Sequence, residues 1–209
     1  MKAIYLAGGC FWGTEHYFKQ IDGVGETEVG FANGNTENPT YEEVYTDTTG
    51  YAETVKVVYD ETKVSLGFLI DIFFHAIDPT LLNRQGHDVG TRYRTGVYYT
   101  DESERAEIER IFNEKRRQYD KPLVTEIAPL RNFFPADEYH QDYLDKHPDG
   151  YCHLPLELFE FAKRAKKRHR AVRSNDFGLK PTSIPFGHPP ESKATSISDN
   201  HCHNGNAMN

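Results

Sequence analysis

The chain has 209 residues, enough for one domain with a real hydrophobic core and an appendage. Its 24 Lys and Arg against 32 Asp and Glu leave a net charge of −8, which argues against nucleic acid as a general partner, because neutralising phosphates needs the opposite sign. No segment approaches the roughly 18 consecutive apolar residues of a membrane span, residues 1–7 are too short an apolar run for a secretory leader, and the cytosol is the expected compartment.

In chain order, the apolar residues 3–7 predict a short strand, Gly8-Gly9 a tight turn, and residues 10–20 a helix with Phe11, Glu15 and Phe18 about a turn apart. Strands follow at 24–32 and 53–59. In the second, Glu53, Val55, Val57 and Tyr59 share one face by period two, which sets a carboxylate in an apolar row. Leu66, Leu69, Ile70, Phe73 and Ile77 repeat at helical spacing behind a Ser65 cap and predict a helix over 65–77. Residues 79–93 have no period and read as a functional loop. A strand at 96–99, an amphipathic helix at 101–119 and a strand at 123–129 complete a mixed order of elements, which predicts an α/β or α+β sandwich.

The C-terminal part divides in two. Seven Lys or Arg in residues 163–173 read as the solvated face of a basic helix that begins at 156, and a nucleic-acid patch fits the acidic remainder poorly. Residues 174–209 hold four of the 11 prolines and five Leu, Ile, Val or Phe, too few for a core of their own, so a Pro-rich tail is expected. The domain organisation is therefore 1–155 for the main domain, 156–173 for the helix and 174–209 for the tail.

The cysteines stand at 10, 152 and 202, with no close C-x-x-C pair, so no structural metal site is expected and sulfur chemistry becomes the leading question. Cys10 opens a helix, where unpaired backbone amides and the helix dipole stabilise a thiolate. Position alone is equally compatible with a packed core cysteine. Phe11 and Trp12 beside it offer a flat apolar surface for an uncharged organic group.

Gly9-Cys10-Phe11-Trp12-Gly13 resembles the active-site motif of the A-class peptide methionine sulfoxide reductases. The resemblance continues in family order through Asn38-Pro39-Thr40-Tyr41-Glu42-Glu43, Gly50-Tyr51-Ala52-Glu53-Thr54-Val55, Asn83-Arg84-Gln85-Gly86 with Asp88 and Tyr93, and Tyr139-His140-Gln141 with Tyr143. It spans about residues 3–153. It implies a two-layer α+β sandwich with a mixed sheet and a ferredoxin-like core, acting without metal or organic cofactor.

The resemblance also implies roles. Cys10 matches the nucleophile that becomes a sulfenic acid as methionine leaves, and Glu53 matches the acid that protonates the departing oxygen. The apolar row around Glu53 gives an independent reason to expect a carboxyl with raised pKa. Tyr41, Asp88 and Tyr93 match the polar residues that hold the sulfoxide oxygen, and Phe11 and Trp12 match the methyl pocket. Cys152, in Gly150-Tyr151-Cys152-His153, matches the resolving cysteine, on a loop that could move toward Cys10. The substrate implied is methionine S-sulfoxide, free or in oxidised proteins. Thioredoxin or a similar dithiol would reduce the Cys10–Cys152 disulfide of a monomeric enzyme. Cys202 departs from the family pattern, and the expectation is that it does nothing. The competing readings are a thiol peroxidase, a cysteine hydrolase, and a redox-controlled binding module whose tail is the effector.

Overall fold

A computed structural model of the chain describes residues 1–165, and Cys202 and the tail lie outside them. The first half runs β1 (Lys2–Gly8), α1 (Phe11–Lys19), β2 (Val24–Ala32), α2 (Tyr41–Tyr45), β3 (Ala52–Tyr59) and α3 (Leu66–Ala76). A small hairpin of β4 (Arg84–Gln85) and β5 (Asp88–Val89) follows, then a 3-10 turn at Thr91–Tyr93, β6 (Thr95–Tyr99) and α4 (Glu102–Arg116). The described part ends with β7 (Glu126–Pro129), β8 (Phe133–Pro135), α5 (Tyr143–Lys146) and α6 (Leu156–Ala165).

Six strands form one sheet in the order β7-β6-β1-β3-β2-β8, in which β6–β7 is parallel and every other pair antiparallel. The fold is thus α+β with a mixed sheet, as expected. Register explains the core: Leu6 pairs with Val55, Val55 with Val29, and Phe31 with Glu53, so side chains from three strands form rows on one face. These positions are at most 1% exposed, and each fully buried aliphatic or aromatic side chain there contributes roughly 1.5–3 kcal/mol. Helices α1 and α3 cover this face, α1 packing on β2 and β3, and α3 on β1. The opposite face carries a smaller cluster of Ala7, Ala32, Ala52 and Tyr98.

Glu53, Val55, Val57 and Tyr59 are all buried, so the period-two row holds, and the Ser65 side chain caps α3 by accepting from the Phe68 amide at 3.2 Å. Residues 79–93 are not structureless. Gln85 exchanges two 2.8 Å hydrogen bonds with the Asp78 backbone and anchors the β4–β5 hairpin to the end of α3. The strand expected at 123–129 is shorter because the Val124 amide donates to Pro79 rather than to the sheet. In α6, Leu158, Phe159 and Ala162 join the main core beside α1 and α3, and the rest of the expected basic helix lies outside the described residues. No helix among the described residues is long and apolar enough to cross a membrane.

Candidate active site

The β1–α1 turn delivers Cys10. Gly9 has φ +86°, and a side chain on it would press within 2.7 Å of Gln85 Cβ, so the turn depends on glycine. Cys10 is the N-cap residue of α1 and is completely buried. The Thr14 hydroxyl donates to the carbonyls of Cys10 at 3.1 Å and Gly8 at 3.3 Å and braces the turn. The first helical amide, Phe11 N–H, donates to Glu53 Oε2 at 3.0 Å. A carboxyl from the buried row of β3 therefore satisfies one of the orphan donors at the start of the cysteine's helix.

Two later segments close over the same point. The β4–β5 hairpin brings in Asp88, 3% exposed, whose Oδ1 accepts from the Tyr151 hydroxyl at 2.8 Å. Residues 151–154 then place Cys152 and His153 against α1. A Cβ on Gly13 would lie 3.0 Å from Cys152 Sγ and 2.9 Å from His153 Nδ1, so the second glycine of the cysteine motif makes room for this segment. Ligating atoms of Cys10, Asp88 and His153 all fall within 4.8 Å of one another. That is the grouping among the described residues that could hold a metal ion, and it consists of the same side chains that a thiol redox site would use.

Burial sets the charges. It pushes the Cys152 thiol above its ordinary range, partly offset by the Leu154 amide that donates to Sγ and reinforced by the Asp88 charge. Desolvation lowers His153 and His140 to about 4 each, so both imidazoles are neutral near pH 7.

Aromatic rings line the other side. Trp12 stacks on Tyr143 with centroids 3.6 Å apart and on His140 at 5.6 Å. The Phe11 ring contacts Phe31 at 5.9 Å and His140 at 5.4 Å, while Tyr41 stacks on His140 at 4.6 Å. Tyr93 is 3% exposed, with the Arg92 guanidinium 4.5 Å from its ring centre. Arg92 in turn pairs with Asp47 at 2.8 Å, tying the 3-10 turn to the segment after α2.

Of the residues singled out in the sequence, Phe11 and Glu53 thus meet directly at the residue after Cys10, Asp88 approaches Cys10 from β5, Cys152 comes in over Gly13 from the 151–154 segment, and Trp12 and Tyr41 meet through His140. His140, Tyr143, Tyr151 and His153 were given no role from sequence. The first two fall in the Tyr139–Tyr143 block and the last two flank Cys152, and that adjacency was the available signal.

Comparison with known proteins is consistent throughout. Residues 2–172 match the family model described as peptide methionine sulfoxide reductase. The chain is 59% identical over 160 residues to peptide methionine sulfoxide reductase MsrA of Clostridium acetobutylicum, covering 77% of this chain and 99% of that protein. The MsrA of Mycoplasma pneumoniae is 55% identical, over 75% of this chain and all of that protein. Among solved structures, reduced Mxr1 from Saccharomyces cerevisiae superposes with a TM-score of 0.71 at 38% identity, covering 74% of this chain and 91% of that one. Methionine sulfoxide reductase A of Corynebacterium diphtheriae gives 0.70 at 38%, covering 72% and 77%. The chain belongs to the peptide methionine sulfoxide reductase family.

Proposed function

We propose that this enzyme reduces methionine S-sulfoxide, free or in oxidised proteins, with Cys10 as nucleophile and Cys152 as resolving thiol. The observation that carries this assignment of roles is the Phe11 amide bond to Glu53, which sets a buried carboxyl one residue beyond a buried cysteine. Glu53 delivers a proton to the sulfoxide oxygen as Cys10 sulfur attacks the substrate sulfur. Tyr41, Tyr93 and Asp88 orient that oxygen, and Phe11 and Trp12 receive the methyl group. Methionine leaves, and the oxygen remains on Cys10 as a sulfenic acid. Cys152 then attacks Cys10 sulfur, releasing water and leaving the Cys10–Cys152 disulfide, which thioredoxin or a similar dithiol reduces.

No metal or organic cofactor enters this scheme. The chemistry belongs to residues 1–155 of a monomeric, cytosolic protein. A ferredoxin-like core is supported by the order β6-β1-β3-β2 of four sheet strands, with α1 joining β1 to β2 and α3 leading from β3 toward β6. The test is turnover of the purified chain on each sulfoxide epimer with dithiothreitol. Turnover of the S epimer alone is expected. Faster turnover of a peroxide than of either epimer would favour a thiol peroxidase and overturn the proposal.

A further inference from the structure

We propose that His153 is the proton acceptor for the resolving thiol, a role that rests on the assignment of Cys10 and Cys152 above. Its two ring nitrogens are differentiated by their surroundings. Nε2 lies 3.1 Å from the Gly8 carbonyl oxygen. A carbonyl can only accept, so Nε2 carries the hydrogen and Nδ1 bears the lone pair. Nδ1 is sealed from water and has no hydrogen-bond partner in the described structure. Nδ1 and Cys152 Sγ both face the first turn of α1, 2.9 and 3.0 Å from the same point above Gly13.

The resolving step needs such a group. Burial keeps the Cys152 thiol protonated near neutrality, whereas the attacking species must be a thiolate. A neutral imidazole whose bare nitrogen faces the same spot over Gly13 as that sulfur supplies the acceptor once the two close on each other. The balance is complete within the site. His153 Nδ1 takes the Cys152 proton as Cys152 sulfur bonds to Cys10 sulfur, the Cys10 S–O bond breaks, and the departing hydroxide takes the proton and leaves as water. Nε2–H stays on Gly8 throughout and fixes the ring. The titratable groups that face His153 are Cys10 at the start of α1, Asp88 on β5 and Cys152 beside it, and Gln85 on β4 is neutral.

The experiment is a single turnover of the full-length reduced protein carrying Cys202→Ser, which removes a third thiol that could divert the disulfide. The protein is mixed with excess N-acetylmethionine S-sulfoxide and quenched with an alkylating agent at successive times. Methionine product and the 10–152 disulfide are measured separately. With His153→Gln, whose amide nitrogen can still donate to Gly8, product release should stay within about threefold while disulfide formation slows about 10²-fold, the ordinary worth of proton transfer. A dione trap should capture the accumulated sulfenic acid. Raising the pH toward thiol ionisation should restore the rate in His153→Gln, and added imidazole should restore it in His153→Ala. Disulfide formation within threefold of the parent overturns the proposal. So does a slow variant that neither pH nor imidazole rescues, since that marks a structural role. If the parent itself releases methionine but forms no 10–152 disulfide, the assignment of Cys152 fails instead.

Discussion

Glu53 Oε2 receives the Phe11 amide at 3.0 Å, so one carboxyl from the start of β3 both closes the first turn of α1 and is held at the residue that follows Cys10. Two substitutions separate these duties. Glu53→Gln keeps an acceptor oxygen for Phe11 but cannot deliver a proton, so sulfoxide reduction should fall by about 10²-fold or more with little change in unfolding free energy. Glu53→Ala also strands a buried amide and should cost about 1–3 kcal/mol of stability on top of the lost rate. Denaturant titration alongside steady-state assays reads both. A Gln variant as active as the parent would assign the proton to another group.

Cys10→Ser should abolish turnover with any reductant, because a serine hydroxyl is neither ionised near neutrality nor soft toward sulfur. Cys152→Ser should release one methionine per chain in a single turnover yet fail to cycle with thioredoxin, since sulfenic acid formation precedes resolution. Counting methionine per chain in the parent also bears on Cys202. About one signifies a 10–152 bond alone, and about two, reduced to one by Cys202→Ser, signifies a relay.

Gly13→Ala tests the packing of the resolving segment on α1. The added methyl group would meet His153 Nδ1 at 2.9 Å and Cys152 Sγ at 3.0 Å, so residues 152–153 must retreat while Cys10 and Glu53 keep their places. Alanine also favours the helix itself by roughly 1 kcal/mol over glycine. Slower disulfide formation with near-normal methionine release is expected. An equal loss in both steps would mean that the methyl group disturbs Cys10 as well.

Glu15 is 2% exposed and accepts from Thr27 Oγ1 at 3.1 Å and the Asp142 amide at 2.9 Å. Burial, with the nearby Asp142 charge, raises its pKa to about 7 from 4.5. The folded state therefore binds the proton more tightly than the unfolded chain, and stability conferred by the neutral form is lost as pH rises from about 4.5 through about 7. His140 and His153, with pKa values lowered to about 4, act in the opposite sense: their contribution is lost as pH falls from 6.5 to about 4. Subtracting the parent's stability from that of Glu15→Gln isolates the carboxyl. The difference should grow in favour of the variant between pH 5 and pH 8, by on the order of 2 kcal/mol or more. A pH-independent difference would contradict the raised pKa.

Local patterning carried the long elements. The Ser65 cap, the β3 row and the start of α1 at Cys10 are all decided within a dozen residues, and each lies where the sequence placed it. Short elements escaped because two- to five-residue pieces have no period. The helix α2 rests on a capping box between Thr40 and Glu43, and β4 and β5 are two residues each. In the site, residues adjacent in sequence to the motif cysteine were legible. His153 was not, because its significance depends on Gly8 and Gly13, some 140 positions away along the chain. Cys152, expected on a loop that could move toward Cys10, already packs against α1.

The stacking of Trp12 with Tyr143 and His140 has an optical consequence. Trp12 is the single tryptophan in the chain, and it sits one residue from Phe11 and two from Cys10. Its indole emission under excitation near the red edge of absorption therefore originates entirely within the catalytic pocket, free of background from the rest of the protein. Occupation of the pocket, or a change in the oxidation state of the neighbouring sulfur, should register as a change in that emission, which would give the enzyme a built-in reporter without any label.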